Sequence, residues 1–61
     1  MAFIPKEKIN TGDWKYTTKE HSSCSGTFEV DSLVKVIGYT ERGYDIEDEF
    51  GHRMYEIGWT I

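Results

Sequence analysis

Sixty-one residues make one domain, and a chain of this size buries only about 60% of the surface its unfolded form exposes. A deep enclosed active-site cavity is therefore not expected, and a surface groove is the kind of site to expect. The net charge of −4 is uneven: residues 1–20 sum to +1 and residues 21–61 to −5. That distribution leaves no basic stripe for binding duplex nucleic acid by counterion release.

Cys24 is the only cysteine. An intrachain disulfide is impossible, which suits a reducing cytoplasm, and the protein is expected there. No long apolar run is present, so no membrane-spanning helix is expected. The opening MAFIPKEK is too short and too polar to read as a signal peptide.

In chain order, residues 1–13 read as an N-terminal arm. Phe3 and Ile4 are apolar, Pro5 ends regular pairing, and Asn10-Thr11-Gly12-Asp13 has turn composition. Residues 14–61 form the domain proper. Trp14-Lys15-Tyr16-Thr17-Thr18 alternates, with Trp14 and Tyr16 on one face, and is predicted as the first strand. Lys19 to Gly26, KEHSSCSG, is polar and without periodicity. It is predicted as a long loop, a place where function often sits. Thr27-Phe28-Glu29-Val30 returns to alternation with Phe28 and Val30 inward, and Asp31-Ser32 is a turn.

The stretch from Leu33 to Ile57 organises the rest. Its first run puts Val34 and Val36 on one face and Leu33, Ile37 and Tyr39 on the other. Gly38 inside a strand marks a bulge or sharp coil. A hairpin link follows at Thr40-Glu41-Arg42-Gly43, with Gly43 as the permissive residue. The next run places Tyr44, Ile46, Asp48 and Phe50 on one face and Asp45, Glu47 and Glu49 on the other. Period-two alternation of this kind belongs to a strand with one side on a core and one in water. Asp48 interrupts the apolar side and is expected to satisfy turn amides. Glu49-Phe50-Gly51-His52 is a second tight turn. The last run, Arg53 to Ile57, sets Arg53, Tyr55 and Ile57 against Met54 and Glu56, before Gly58 and a closing Trp59-Thr60-Ile61. The chain is thus expected to be all-β: a small five-stranded antiparallel barrel, partly open.

A polar loop after a first strand, a turn into Val34-Lys35-Val36-Ile37-Gly38 and a tight meander through Gly43-Tyr44-Asp45-Ile46 and Gly51 to Gly58-Trp59 resembles the Src-homology-3-like small barrels. With Phe28, these residues carry the resemblance, which covers roughly residues 14–61 and is architectural. The short length and acidic sheet look like the small uncharacterised phage and prophage proteins with this fold. Such barrels serve as peptide binders and as ribosomal or transcription-factor modules, so the fold does not choose a function. The peptide-binding members use paired tyrosines and an acid-rich first loop. This chain has one acid in that loop and no paired-tyrosine signature, so a proline-rich ligand does not carry over.

Three side chains, His21, Cys24 and His52, have metal-ligand chemistry, and His-x-x-Cys is an acceptable zinc spacing. A structural zinc wants four ligands and the sequence supplies no fourth, so no metal or cofactor is expected. Cys24 beside His21 is not expected to be a nucleophile and base, because a serine-rich loop supplies nothing to lower a thiol pKa. Asp45, Glu47, Glu49 and Glu56 read as solvated acids, since catalysis would need one raised by burial.

Trp14, Tyr16, Tyr39, Tyr44, Tyr55 and Trp59 cannot all be buried in so small a core, and exposed aromatics are enriched at interfaces. With no nucleophile elbow, phosphate loop or metal quartet, the chain is not expected to be an enzyme. The reading is a non-catalytic binding or accessory module for a protein partner, working through these aromatics with Asp45, Glu47 and Glu49. One alternative is an acidic inhibitor that mimics nucleic-acid phosphates to block a nucleic-acid enzyme or defence protein. The other is single-stranded nucleic-acid binding on an aromatic face.

Overall fold

The structure, a computed structural model, describes residues 9–24 and 26–61. Among them are six strands and no helix. They are β1 (Trp14–Tyr16), β2 (His21–Ser23), β3 (Gly26–Phe28), β4 (Leu33–Thr40), β5 (Gly43–Asp48) and β6 (Arg53–Met54). A four-stranded antiparallel sheet has the order β1-β4-β5-β6, and β2 and β3 form a separate antiparallel pair. The described strands number six where five were expected, and among the described residues they do not close into a barrel.

The core lies on one face of the larger sheet. Val34, Val36 and Ile46 are fully buried and Tyr44 is 1% exposed. The β4–β5 register sets Val36 opposite Ile46, as the alternation of both runs requires. Each buried aliphatic side chain contributes roughly 1.5–3 kcal/mol. Met54, Phe28 and Ile61 complete the buried cluster, with Ile9, Ile57 and Trp59 packed against it.

The pairing shifts register between Val36 and Gly38, so Ile37 is the extra residue of a bulge. The bulge reverses the parity of the strand. Tyr39, expected on the face opposite Val34 and Val36, pairs with Tyr44 and stands on the core side. Gly43 closes the hairpin at φ 129°. A Cβ there would collide with the backbone of Gly58, because residues 57–58 run alongside: Tyr44 N–H donates to Gly58 O and Ile57 N–H to Tyr44 O, both at 3.0 Å.

Four expectations are corrected. Lys19 to Gly26 is not a loop but holds β2 and the start of β3. Among the hairpin's described residues only two side chains, His21 and Phe28, are buried, too few to show a period. The next strand is Gly26–Phe28, not 27–30, and Val30 is 54% exposed. There the chain turns through Asp31 at φ 66°. Thr17, fully buried, holds that turn. Its Oγ1 donates to Glu29 O at 2.7 Å and accepts from Ser32 N–H at 2.9 Å. Phe50 lies past the end of β5 and is 78% exposed. Lastly, the run Arg53 to Ile57 pairs as a strand only at Arg53–Met54, because Glu56 at φ 55° breaks the extended backbone.

Asp48 behaves as the sequence implies. Its Oδ1 accepts from Phe50 N–H at 2.9 Å and His52 N–H at 2.8 Å. Gly51, at φ 87°, makes the turn between them. Of the expected arm, residues 1–8 lie outside the described residues. Gly12 N–H donates to Val36 O and Val36 N–H to Asp13 O, which ties the arm's last residues to β4.

Candidate functional site

The face of the four-stranded sheet that points away from the core is open. Registers across the sheet align Trp14, Lys35, Glu47 and Arg53 in one row through all four strands. Each member interacts with a neighbour. Lys35 Nζ lies 5.6 Å from the Trp14 ring centroid, within cation–π range. Arg53 Nε donates to Glu47 Oε2 at 2.8 Å. Glu47 and, second to it, the Tyr55 hydroxyl hold the Arg53 guanidinium above its ordinary range.

Tyr16 stands opposite Leu33 on the same face. Tyr55 follows one step beyond β6, on the side of Arg53. Trp14 is 45%, Tyr16 64% and Tyr55 59% exposed, large areas for aromatic rings. The face thus carries three open aromatics around one ion pair, Glu47 with Arg53, and one cation, Lys35, beside the Trp14 ring.

The remaining sequence candidates fall elsewhere. Tyr44 is core, not surface. Its hydroxyl accepts from Ile9 N–H at 2.8 Å, and its ring meets Trp59 edge-on with centroids 5.0 Å apart. Tyr39 packs 6.2 Å from Trp59 at the far end of the β4–β5 hairpin. The six aromatics therefore divide into an outer set of Trp14, Tyr16 and Tyr55 and a stack of Tyr39, Trp59 and Tyr44.

The acidic stripe is similarly broken up. Asp45 Oδ1 accepts from Glu56 N–H at 2.9 Å, Glu47 is paired with Arg53, and Glu49 is exposed beyond the strand. Glu56 Oε2 accepts from Thr40 Oγ1 at 3.1 Å. Alternation placed Asp45 and Glu47 on the outer face correctly. It carried no sign that both are engaged, because their partners lie across the turn that follows β5 and are set by how the chain returns.

The metal-type residues do not meet. His21, expected in a loop, is 5% exposed in β2, with Nε2 2.9 Å from Ile61 O. A carbonyl only accepts, so Nε2 donates. Cys24 is exposed at the β2–β3 turn. His52 is exposed, with Nδ1 3.3 Å from Asp48 Oδ2. Among the described residues no group of three or more His, Cys, Asp or Glu side chains is placed to hold a metal ion.

Open clefts run along the seam between the β2–β3 hairpin and β6. One of about 350 Å³ lies between residues 19–23 and 54–57, and another of about 180 Å³ between residues 26–28 and 52–54. Their one buried titratable side chain, His21, is committed to Ile61. No helix among the described residues is long and apolar enough to cross a membrane.

No family model, curated protein or solved structure matches the chain. Function has therefore to be argued from this geometry. The sequence pointed to Trp14, Tyr16 and Tyr55 but missed Lys35 and Arg53. Both read as ordinary strand charges until the register sets them in one row.

Proposed function

We propose that the chain is a non-catalytic binding module that takes a protein partner on the outer face of its four-stranded sheet. The observation that carries this reading is the trio Trp14, Tyr16 and Tyr55, each 45% exposed or more and set on one face. Aromatics and arginine are the residues enriched where proteins meet. The charges of the face, Lys35, Glu47 and Arg53, are already paired with face residues. Covering Glu47 and Arg53 together leaves neither as a lone buried charge, the costly outcome at an interface. The all-β meander supports kinship with the Src-homology-3-like small barrels, and the free Cys24 supports work in the cytoplasm.

Phosphate mimicry is the lesser reading, since Asp45 and Glu47 each commit one carboxylate oxygen to a partner inside the molecule. Single-stranded nucleic acid is disfavoured by those two acids at the centre of the face.

The test is capture from the native host with the wild-type chain as bait, beside a Trp14→Ala, Tyr16→Ala, Tyr55→Ala variant whose fold is checked by circular dichroism. The reading expects one stoichiometric partner that the folded variant loses. Equal capture by the variant sinks it. A further variant, Asp45→Lys with Glu49→Lys, separates mimicry, which predicts loss there instead.

A further inference from the structure

Among the described residues, the sheet that carries this face ends at β1. Toward β4 the ladder uses the backbone of Asp13, Lys15 and Thr17. Val36 N–H donates to Asp13 O at 2.9 Å, Thr17 N–H donates to Ser32 O at 2.8 Å, and Lys15 stands opposite Val34. Backbone groups on an antiparallel strand point alternately to its two sides. The N–H and C=O groups of Trp14 and Tyr16 therefore point off the sheet. Thr18 keeps the same phase, and its outward N–H donates to Ile61 O at 2.9 Å. Among the described residues β1 has no neighbouring strand on that side.

We infer that this edge receives an extended segment of the partner as a further strand, with an acidic residue opposite Lys15 and apolar residues opposite Trp14 and Tyr16. The inference rests on the outer-face reading above and adds how the partner is held. A row of outward donors and acceptors at strand spacing is complemented by another strand's backbone. Side-chain chemistry then selects which strand. Trp14 and Tyr16 offer exposed rings to apolar cross-strand neighbours, and Lys15, exposed on the strand's other side, offers a cation to a carboxylate.

Charge also argues against a second copy of this chain as the occupant. Antiparallel self-pairing that matches Trp14 with Tyr16 puts Lys15 opposite Lys15, a repulsive pair. Lysine on an edge strand is a common guard against such self-association.

The experiment titrates the isotope-labelled full chain with a short peptide of alternating valine and glutamate, beside a control of alternating valine and lysine. Hydrogen exchange and chemical shifts are read at each amide. In the free protein the Trp14 and Tyr16 amides should exchange fast; with the glutamate peptide they should gain protection. The glutamate peptide should bind at least about tenfold more tightly than the lysine peptide, a difference worth about 1.4 kcal/mol. Lys15→Glu should reverse that order. Tyr16→Pro removes an outward N–H and no ladder bond, so it should abolish binding, whereas Tyr16→Ala should only weaken it.

Protection of both amides in the free protein would show the edge already covered, by residues 1–8 or by a second copy, and would overturn the inference. So would equal binding of the two peptides or binding of neither. If Tyr16→Pro and Tyr16→Ala bind the captured partner equally well, contact is through the ring alone: strand addition falls and the outer-face reading stands. Loss of the outer-face reading itself is scored separately, by capture with the triple alanine variant.

Discussion

The two hairpins of this protein are stabilised in different ways. β4 and β5 run eight and six residues, and their inward side chains bury Val34, Val36, Tyr44 and Ile46 almost completely. β2 and β3 are three residues each and send inward only His21 and Phe28, which face one another across the pair. The first hairpin follows from its own alternation and its turn glycine. The second depends on what it leans on: Phe28 in the common core and His21 on the Ile61 carbonyl. Periodic burial makes a strand where several inward residues repeat; where there are only two, long-range contacts must supply the order.

Substitutions can break this contrast. A domain of this size is expected to be stable by about 3–9 kcal/mol, so single changes read out clearly. The largest effect should come from Gly43→Ala, which adds a Cβ against the Gly58 backbone at a positive φ. We expect a loss of more than about 3 kcal/mol, seen as a chain largely unfolded without denaturant. A urea midpoint near wild type would show that the first hairpin does not need that close approach.

Phe28→Ala removes the one large apolar anchor of the second hairpin and should cost about 3 kcal/mol. Amides of residues 21–28 should lose exchange protection ahead of those in β4 and β5. Uniform loss across both hairpins would mean that they unfold as one unit and are not separately held.

Asp48→Ala leaves the Phe50 and His52 amides without their acceptor and should cost about 1–2 kcal/mol by urea midpoint. Asp48→Asn retains an acceptor oxygen and should recover most of it. If the alanine and asparagine variants are equally unstable, the negative charge and not the hydrogen bonds holds the turn.

Smaller still, Phe50→Ser should fall within about 0.5 kcal/mol of wild type, because that ring is in water although alternation assigns it to the core. Glu47→Gln should leave the urea midpoint unmoved at any salt concentration, since its partner Arg53 is a surface cation. A salt-dependent loss would instead make the outer row of charges a stabilising network.

What the amino-acid order decided alone is the β class, the β4–β5 hairpin with its bulge near Gly38, the two glycine turns and the role of Asp48. All of these are short-range: neighbouring side chains alternate, glycine admits positive φ, and a carboxylate reaches amides two and four residues on. The tertiary structure decided the rest. It made a hairpin of His21 to Phe28, turned Val30 and Phe50 outward, moved Tyr39 to the core side and buried His21. It also set Trp14, Lys35, Glu47 and Arg53 in a single row. Those outcomes depend on registers and contacts between residues far apart in the chain, and no local period encodes which distant strand a side chain will face.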